Sequence, residues 1–219
     1  MTHFGINIVK RKYSLELQRE EFALISTKPS LPVFEMLIRD NAYTNNDATE
    51  YSVSWCERYR KLCLENYDLN MRYFDLLDAE EFRRTIDSFL RKHPRFVEVT
   101  DLRSYTSKSG YYLMVLDKYK QAYIGKSENI RFRIHQHWTK VKQFDRILFP
   151  MYAVKESCFS IDFFRALDTT RIYVWQRPLA DGIESMLVKE FPKKFSTNRI
   201  GGDITNAIDA LVTLNIRKM

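Results

Sequence analysis

Gly110-Tyr111-Tyr112-Leu113-Met114-Val115-Leu116-Asp117-Lys118-Tyr119-Lys120-Gln121-Ala122-Tyr123-Ile124-Gly125 is the stretch on which the fold turns. Its first part, from Tyr111 to Leu116, is an unbroken apolar and aromatic run with strand character. Asp117-Lys118-Tyr119-Lys120 reads as a polar turn, and Gln121-Ala122-Tyr123-Ile124 returns antiparallel. Gly125 ends this hairpin. Lys126-Ser127-Glu128-Asn129 then leads into a helix that carries Ile130, Ile134, Trp138 and Val141 on one face.

Upstream of the hairpin the pattern is mainly helical. Phe4-Gly5-Ile6-Asn7-Ile8-Val9 alternates loosely, as a short strand does. Lys28-Pro29-Ser30-Leu31-Pro32 breaks the chain, because each proline removes a backbone donor. Asn45-Asn46-Asp47-Ala48-Thr49 is a turn cluster, and Trp55, Tyr59, Leu62 and Cys63 then repeat at helical spacing. A second helix starts at Asp78, with Glu81 completing a capping-box-like pair and Phe82, Ile86, Phe89 and Leu90 forming one stripe. His93-Pro94 ends it, and Phe96, Val97 and Val99 suggest an extended segment. The polar stretch from Leu102 to Ser109 separates residues 1–104, a helical positioning region, from residues 105–219.

Hydrophobic residues make up 45% of the 219-residue chain and charged residues 29%, enough for a real core. The 13 tyrosines and 15 phenylalanines imply large buried faces or stacking surfaces. The net charge of +7 is unevenly placed. Residues 1–109 hold 17 basic and 17 acidic side chains, whereas residues 110–219 hold 18 basic against 11 acidic. The excess fits either solubility or a polyanionic partner bound by counterion release. Three scattered cysteines, Cys56, Cys63 and Cys158, give neither a disulfide framework nor metal-ligand spacing. No apolar run approaches membrane-spanning length, so no membrane partner is expected. Met1 to Lys12 lacks the layout of a signal peptide, and a reducing, cytoplasmic compartment follows by default.

The paired elements Gly110-Tyr111-Tyr112 and Tyr123-Ile124-Gly125 resemble those of the GIY-YIG nuclease superfamily, with Tyr111 where the family usually has isoleucine. Ten residues lie between Tyr112 and Tyr123, which is the family's spacing. Members carry an arginine on the next helix, often a histidine four residues on, then a metal-binding glutamate and a downstream asparagine. Arg133, His137, Glu184 and Asn198 follow in that order. The resemblance covers about residues 105–203 and leaves residues 140–176 unmatched. It implies an α+β fold, a small mixed sheet flanked by helices, and a divalent-metal-dependent endonuclease that hydrolyses DNA by direct attack of water.

The resemblance assigns roles that compete with plainer ones. A phenol oxygen, that of Tyr112 before that of Tyr123, would help deprotonate the water, for which a group titrating near 10 needs a nearby cation. Lys126 and the metal are candidates for that cation, though Lys126 also reads as an exposed loop lysine. Arg133 can grip two phosphate oxygens at once, whereas Arg131 faces elsewhere. His137 would take a proton or orient the tyrosine, while His135 points away. Glu184 shares a stripe with Leu187, Val188 and Phe191, so its carboxylate needs a cation, and one carboxylate suits Mg²⁺ or Mn²⁺. Its rival role is a capping box with Asp181. Asn198 would hold the site together or touch substrate. Asp162 and Asp168 have no spacing that ties them to Glu184 and stay outside the expected site. The competing function is a nucleic-acid-binding protein with the same fold and no turnover.

Overall fold

The computed structural model describes residues 1–9, 14–23, 53–139 and 158–198. The expected break at 28–32, the turn cluster at 45–49, Val141, residues 140–157 of the unmatched stretch and Gly201-Gly202 lie outside these residues, as do the side chains of Trp55 and Tyr59. The fold is mixed α+β, with helices packed on antiparallel sheets. In chain order the elements are β1 (Thr2–His3), β2 (Ile6–Asn7), α1 (Val53–Leu76), α2 (Ala79–Lys92), β3 (Val97–Glu98), β4 (Gly110–Leu116), β5 (Gln121–Ser127), α3 (Ile130–Thr139), β6 (Arg171–Gln176) and α4 (Ile183–Glu190).

The main sheet has the order β3-β6-β4-β5, and each of its ladders is antiparallel. This corrects the expected mixed sheet. β5 and β6 do run parallel to each other, but β4 lies between them and pairs with both in the opposite sense. Among the described residues the one parallel pairing is an isolated bridge, Ala122 to Ser196, on the outer side of β5.

All seven residues of β4 are buried. Alternate side chains leave opposite faces of a strand, and both faces here are covered. Tyr112, Met114 and Leu116 enter one core with Ile172 and Val174 of β6, Ile130, Ile134 and Trp138 of α3, and Cys63, Tyr67 and Phe74 of α1. Tyr111, Leu113 and Val115 enter the other with Ala122 and Ile124 of β5, Phe82, Ile86 and Phe89 of α2, and Leu187 of α4. Each fully buried apolar side chain of this size contributes about 1.5–3 kcal/mol, so β4 is the strand around which the sheet is held. Contacts cross residue 104 on both faces: α1 and α2 supply core residues, and β3 is the sheet's edge beside β6.

Local expectations meet the structure unevenly. Asp78 caps α2, its carboxylate accepting from the Glu81 N–H at 2.5 Å, but the Glu81 carboxylate turns to Lys194 Nζ at 2.6 Å instead of closing the box. The expected strand at residues 4–9 is a hairpin. Phe4 (φ 45°) and Gly5 (φ 73°) form its two-residue turn, the left-handed geometry that matches the twist of the flanking strands. β5 continues past Gly125 to Ser127, so Lys126 is a strand residue and not part of a loop.

Candidate active site

The register of β4 and β5 sets Tyr111 opposite Lys126 and Tyr112 opposite Gly125, which brings both tripeptides to the same end of the hairpin. Tyr112 and Tyr123 share the face turned towards α3, with ring centroids 6.1 Å apart. Gly125 leaves room for them. A Cβ there would lie 2.6 Å from Cζ and Oη of Tyr112 and 2.7 Å from Cε1 of Tyr123. Gly110 is needed for a different reason. Its φ is +155°, and a Cβ would lie 2.4 Å from the Trp175 carbonyl oxygen.

α3 begins directly after this hairpin and presents Arg133 and His137, one turn apart, to the two phenols. His137 is 1% exposed. Its Nε2 lies 3.0 Å from Tyr112 Oη, and its ring centroid lies 5.1 Å from that of Tyr123. Arg133 is half-buried and faces both phenols.

Burial raises the Tyr112 phenol well above its ordinary value of 10, and the Tyr123 charge adds to this, while Arg133 opposes it. Tyr123, half-buried, is pushed up to about 12, by burial first and the Glu184 carboxylate second. The Arg133 guanidinium does not offset this, because desolvating a buried phenolate costs more than one guanidinium returns. Neither phenol is therefore a standing phenolate at neutral pH. A proton leaves Tyr112 only if an acceptor takes it, and His137 Nε2 lies within hydrogen-bonding distance of its oxygen.

These shifts have a consequence for stability. A phenol whose folded value is raised stabilises the fold fully below the unfolded value near 10 and loses that contribution as pH rises through the folded value. Tyr123 alone therefore makes stability fall between pH 10 and 12. Urea denaturation at pH 8, 10 and 11 will show a declining midpoint. In Tyr123→Phe the decline will be shallower, and an unchanged decline would count against a neutral, buried Tyr123.

Glu184 lies in the first turn of α4 and is 5% exposed. The capping box with Asp181 does not form. Gly182 is the cap residue, with φ 75° and no side-chain hydrogen bond. The Glu184 carboxylate instead meets Lys126 Nζ at 3.5 Å and acts on both phenols through space. Lys126 thus pairs with the glutamate.

Asn198 clamps the outer edge of β5. Its Oδ1 accepts from Ile124 N–H at 2.8 Å, and its Nδ2 donates to Ile124 C=O at 2.5 Å. Both bonds go to the backbone of β5, the strand that carries Tyr123. The expected site residues Tyr112, Tyr123, Lys126, Arg133, His137 and Glu184 therefore converge at one hairpin end, with Asn198 fixing the strand.

One residue was missed. Asp162 Oδ1 lies 2.6 Å from His137 Nδ1. The available signal was local: an acid between Ile161 and Phe163, both buried, in the short 3-10 turn Ile161–Phe163. Asp168 is engaged elsewhere: it accepts from Leu17 N–H, Arg165 N–H and the Tyr119 hydroxyl.

A separate groove of about 490 Å³ on α1, lined by Arg19, Glu57, Arg60, Lys61, Leu64 and Glu65, contains none of these groups. Among the described residues there is no cluster of three or more His, Cys, Asp or Glu side chains. Zinc, which takes three or four such ligands, does not fit Glu184. A hydrated Mg²⁺ or Mn²⁺, held by one or two carboxylates and completed by water and phosphate oxygens, does fit. Among the described residues no helix is long and apolar enough to cross a membrane. No family model, no curated protein and no solved structure matches this chain.

Proposed function

We propose that this chain is a Mg²⁺- or Mn²⁺-dependent endonuclease of the GIY-YIG type, hydrolysing DNA phosphodiester bonds by direct attack of water. The observation that carries the reading is the convergence just described. Residues from β4, β5, α3 and α4, up to 72 positions apart in the chain, bring a phenol–imidazole pair, a guanidinium and a buried carboxylate to one place. That set is the one phosphoryl chemistry requires: a proton acceptor, a fixed cation and a carboxylate suited to a hydrated divalent ion.

Glu184 would hold the ion, which when bound supplies positive charge to the phosphate and leaving oxygens. Arg133 grips the non-bridging oxygens and stabilises the charge that grows on them. Tyr112 passes its proton to His137 Nε2 as it receives one from the water. Lys126 balances Glu184 when no ion is bound. The basic excess of residues 110–219 supports a polyanionic substrate. The free thiols of Cys56, Cys63 and Cys158 are consistent with a reducing, cytoplasmic setting, which we include in the proposal.

The second reading, a DNA-binding protein without turnover, is favoured by two observations. Tyr112 is fully buried, and Lys126 already pairs with Glu184. Incubation with supercoiled plasmid, with and without Mg²⁺, separates the two. Nicking that needs the metal supports the enzyme. Binding with no nicking under Mg²⁺ or Mn²⁺ supports the second reading. Under either, affinity for DNA will fall at least tenfold between 50 and about 200 mM salt, the signature of phosphate contacts; a salt-independent affinity would remove DNA as the partner.

A further inference from the structure

We propose that Asp162 is a positioning residue of this site: it holds His137 in the tautomer whose Nε2 lone pair receives the Tyr112 proton. The inference rests on the nuclease reading and deepens it.

Three observations support it. Asp162 Oδ1 lies 2.6 Å from His137 Nδ1, the short distance of a charge-assisted hydrogen bond. An ionised carboxylate can only accept, so Nδ1 carries the hydrogen, and in the neutral imidazole Nε2 is then the bare nitrogen. Nε2 lies 3.0 Å from Tyr112 Oη, so the phenol is the donor in that bond. His137 is 1% exposed, which leaves bulk water little access to reset the tautomer.

Asp162 is itself held firmly. It occupies a 3-10 turn whose neighbours Ile161 and Phe163 are in the first core, and the Phe164 N–H bonds the Ile161 carbonyl. The carboxylate side chain is 21% exposed and keeps contact with solvent. Among the described residues, the ionisable groups facing the imidazole are Asp162 from this turn, Tyr112 from β4, Tyr123 from β5 and Arg133 one turn back on α3. Glu184 and Lys126 lie beyond the phenols. Asp162 is the one whose carboxylate touches Nδ1.

The proton path then balances. As the water oxygen bonds to phosphorus, a water proton passes to Tyr112 Oη and the Tyr112 proton passes to Nε2. The bond from phosphorus to the leaving oxygen breaks, and that oxygen takes a proton from solvent. The imidazolium, held between Tyr112 and Asp162, returns the Nε2 proton to Tyr112 Oη after the product leaves, and the phenol passes a proton on to the water that refills the site. Asp162 stays ionised throughout and stabilises the imidazolium while it exists. This is the division of labour that a carboxylate–imidazole pair shows in other hydrolases.

The test uses the full chain and two readouts. The ¹⁵N shifts of the His137 ring, from two-bond proton–nitrogen spectra without DNA, report which nitrogen is protonated. Single-turnover nicking of plasmid in Mg²⁺, with DNA affinity measured separately, reports the chemistry. Wild type is expected to show Nδ1–H. Asp162→Asn can donate to Nδ1 and should move the proton to Nε2, lowering the cleavage rate by about 10²–10⁴-fold with DNA affinity within about twofold. Asp162→Glu should recover part of the rate. A His137 protonated at Nε2 in wild type, or D162N cleaving as fast as wild type, overturns the role of Asp162 alone. Wild type that never nicks DNA overturns the nuclease reading and the catalytic role with it, whichever tautomer is found.

Discussion

Glu184→Ala will lose Mg²⁺-dependent nicking of supercoiled plasmid by about 10³-fold or more, roughly 4 kcal/mol in the barrier. Glu184 is the carboxylate proposed to hold the ion, and Asp162, the other carboxylate within electrostatic reach of the phenols, is engaged by His137 Nδ1. The fold will survive the change. The partner left behind, Lys126, has a side chain 33% exposed and can turn its ammonium to water. The cavity is small because the glutamate sits in the first turn of α4, while Leu187 and Phe191 further along keep their packing. Initial nicking rates and a thermal melt monitored by circular dichroism check both statements. A variant that cuts at the wild-type rate would sink the assignment of Glu184. A variant that no longer folds would show that the Lys126 pair holds α4 in place.

Gly125→Ala will damage the site and the fold together. The added methyl would meet the tips of two large side chains at 2.6 and 2.7 Å, closer than real Cβ contacts come. Tyr112 is fully buried and has nowhere to go without moving its neighbours. Such overpacking costs about 1–3 kcal/mol. The displacement acts on the 3.0 Å bond from Tyr112 to His137, and losing a proton path of this kind lowers a rate by about 10²-fold or more. Gly182→Ala is the control. No atom lies within 4 Å of its Cβ position, so it carries only the strain of φ 75° at an exposed cap. It should lose little activity. Equal losses in the two variants would mean that the phenols do not depend on the space at Gly125.

The hairpin and much of its chemistry were legible because they lie in short local patterns. An unbroken apolar run, a polar turn and a return strand fixed β4 and β5, and the four-residue spacing of Arg133 and His137 placed them on one helix face. The cap at Asp78 was legible for the same reason. What escaped depends on distance. Nothing in the spacing of Glu81 announces Lys194, 113 residues away, which takes its carboxylate from the capping box. Asp162 reaches His137 from a short 3-10 turn 25 residues on, and burial of its neighbours helps to fix it there. The antiparallel character of the sheet depends on which strand fills the middle, a question no single segment answers. The acidity of the phenols depends on how completely they are buried, which spacing also cannot give.

The clamp at Asn198 reaches beyond the site. Among the described residues β5 is the last strand in its sheet, and such an edge invites a strand from another molecule to add on. Asn198 occupies both outward backbone groups of Ile124, and Thr197 donates its N–H to the Ala122 carbonyl beside them. These groups, which would template a foreign strand, are already engaged by the protein's own chain. The same residues that steady the second tyrosine thereby guard the sheet against growing from one molecule into the next.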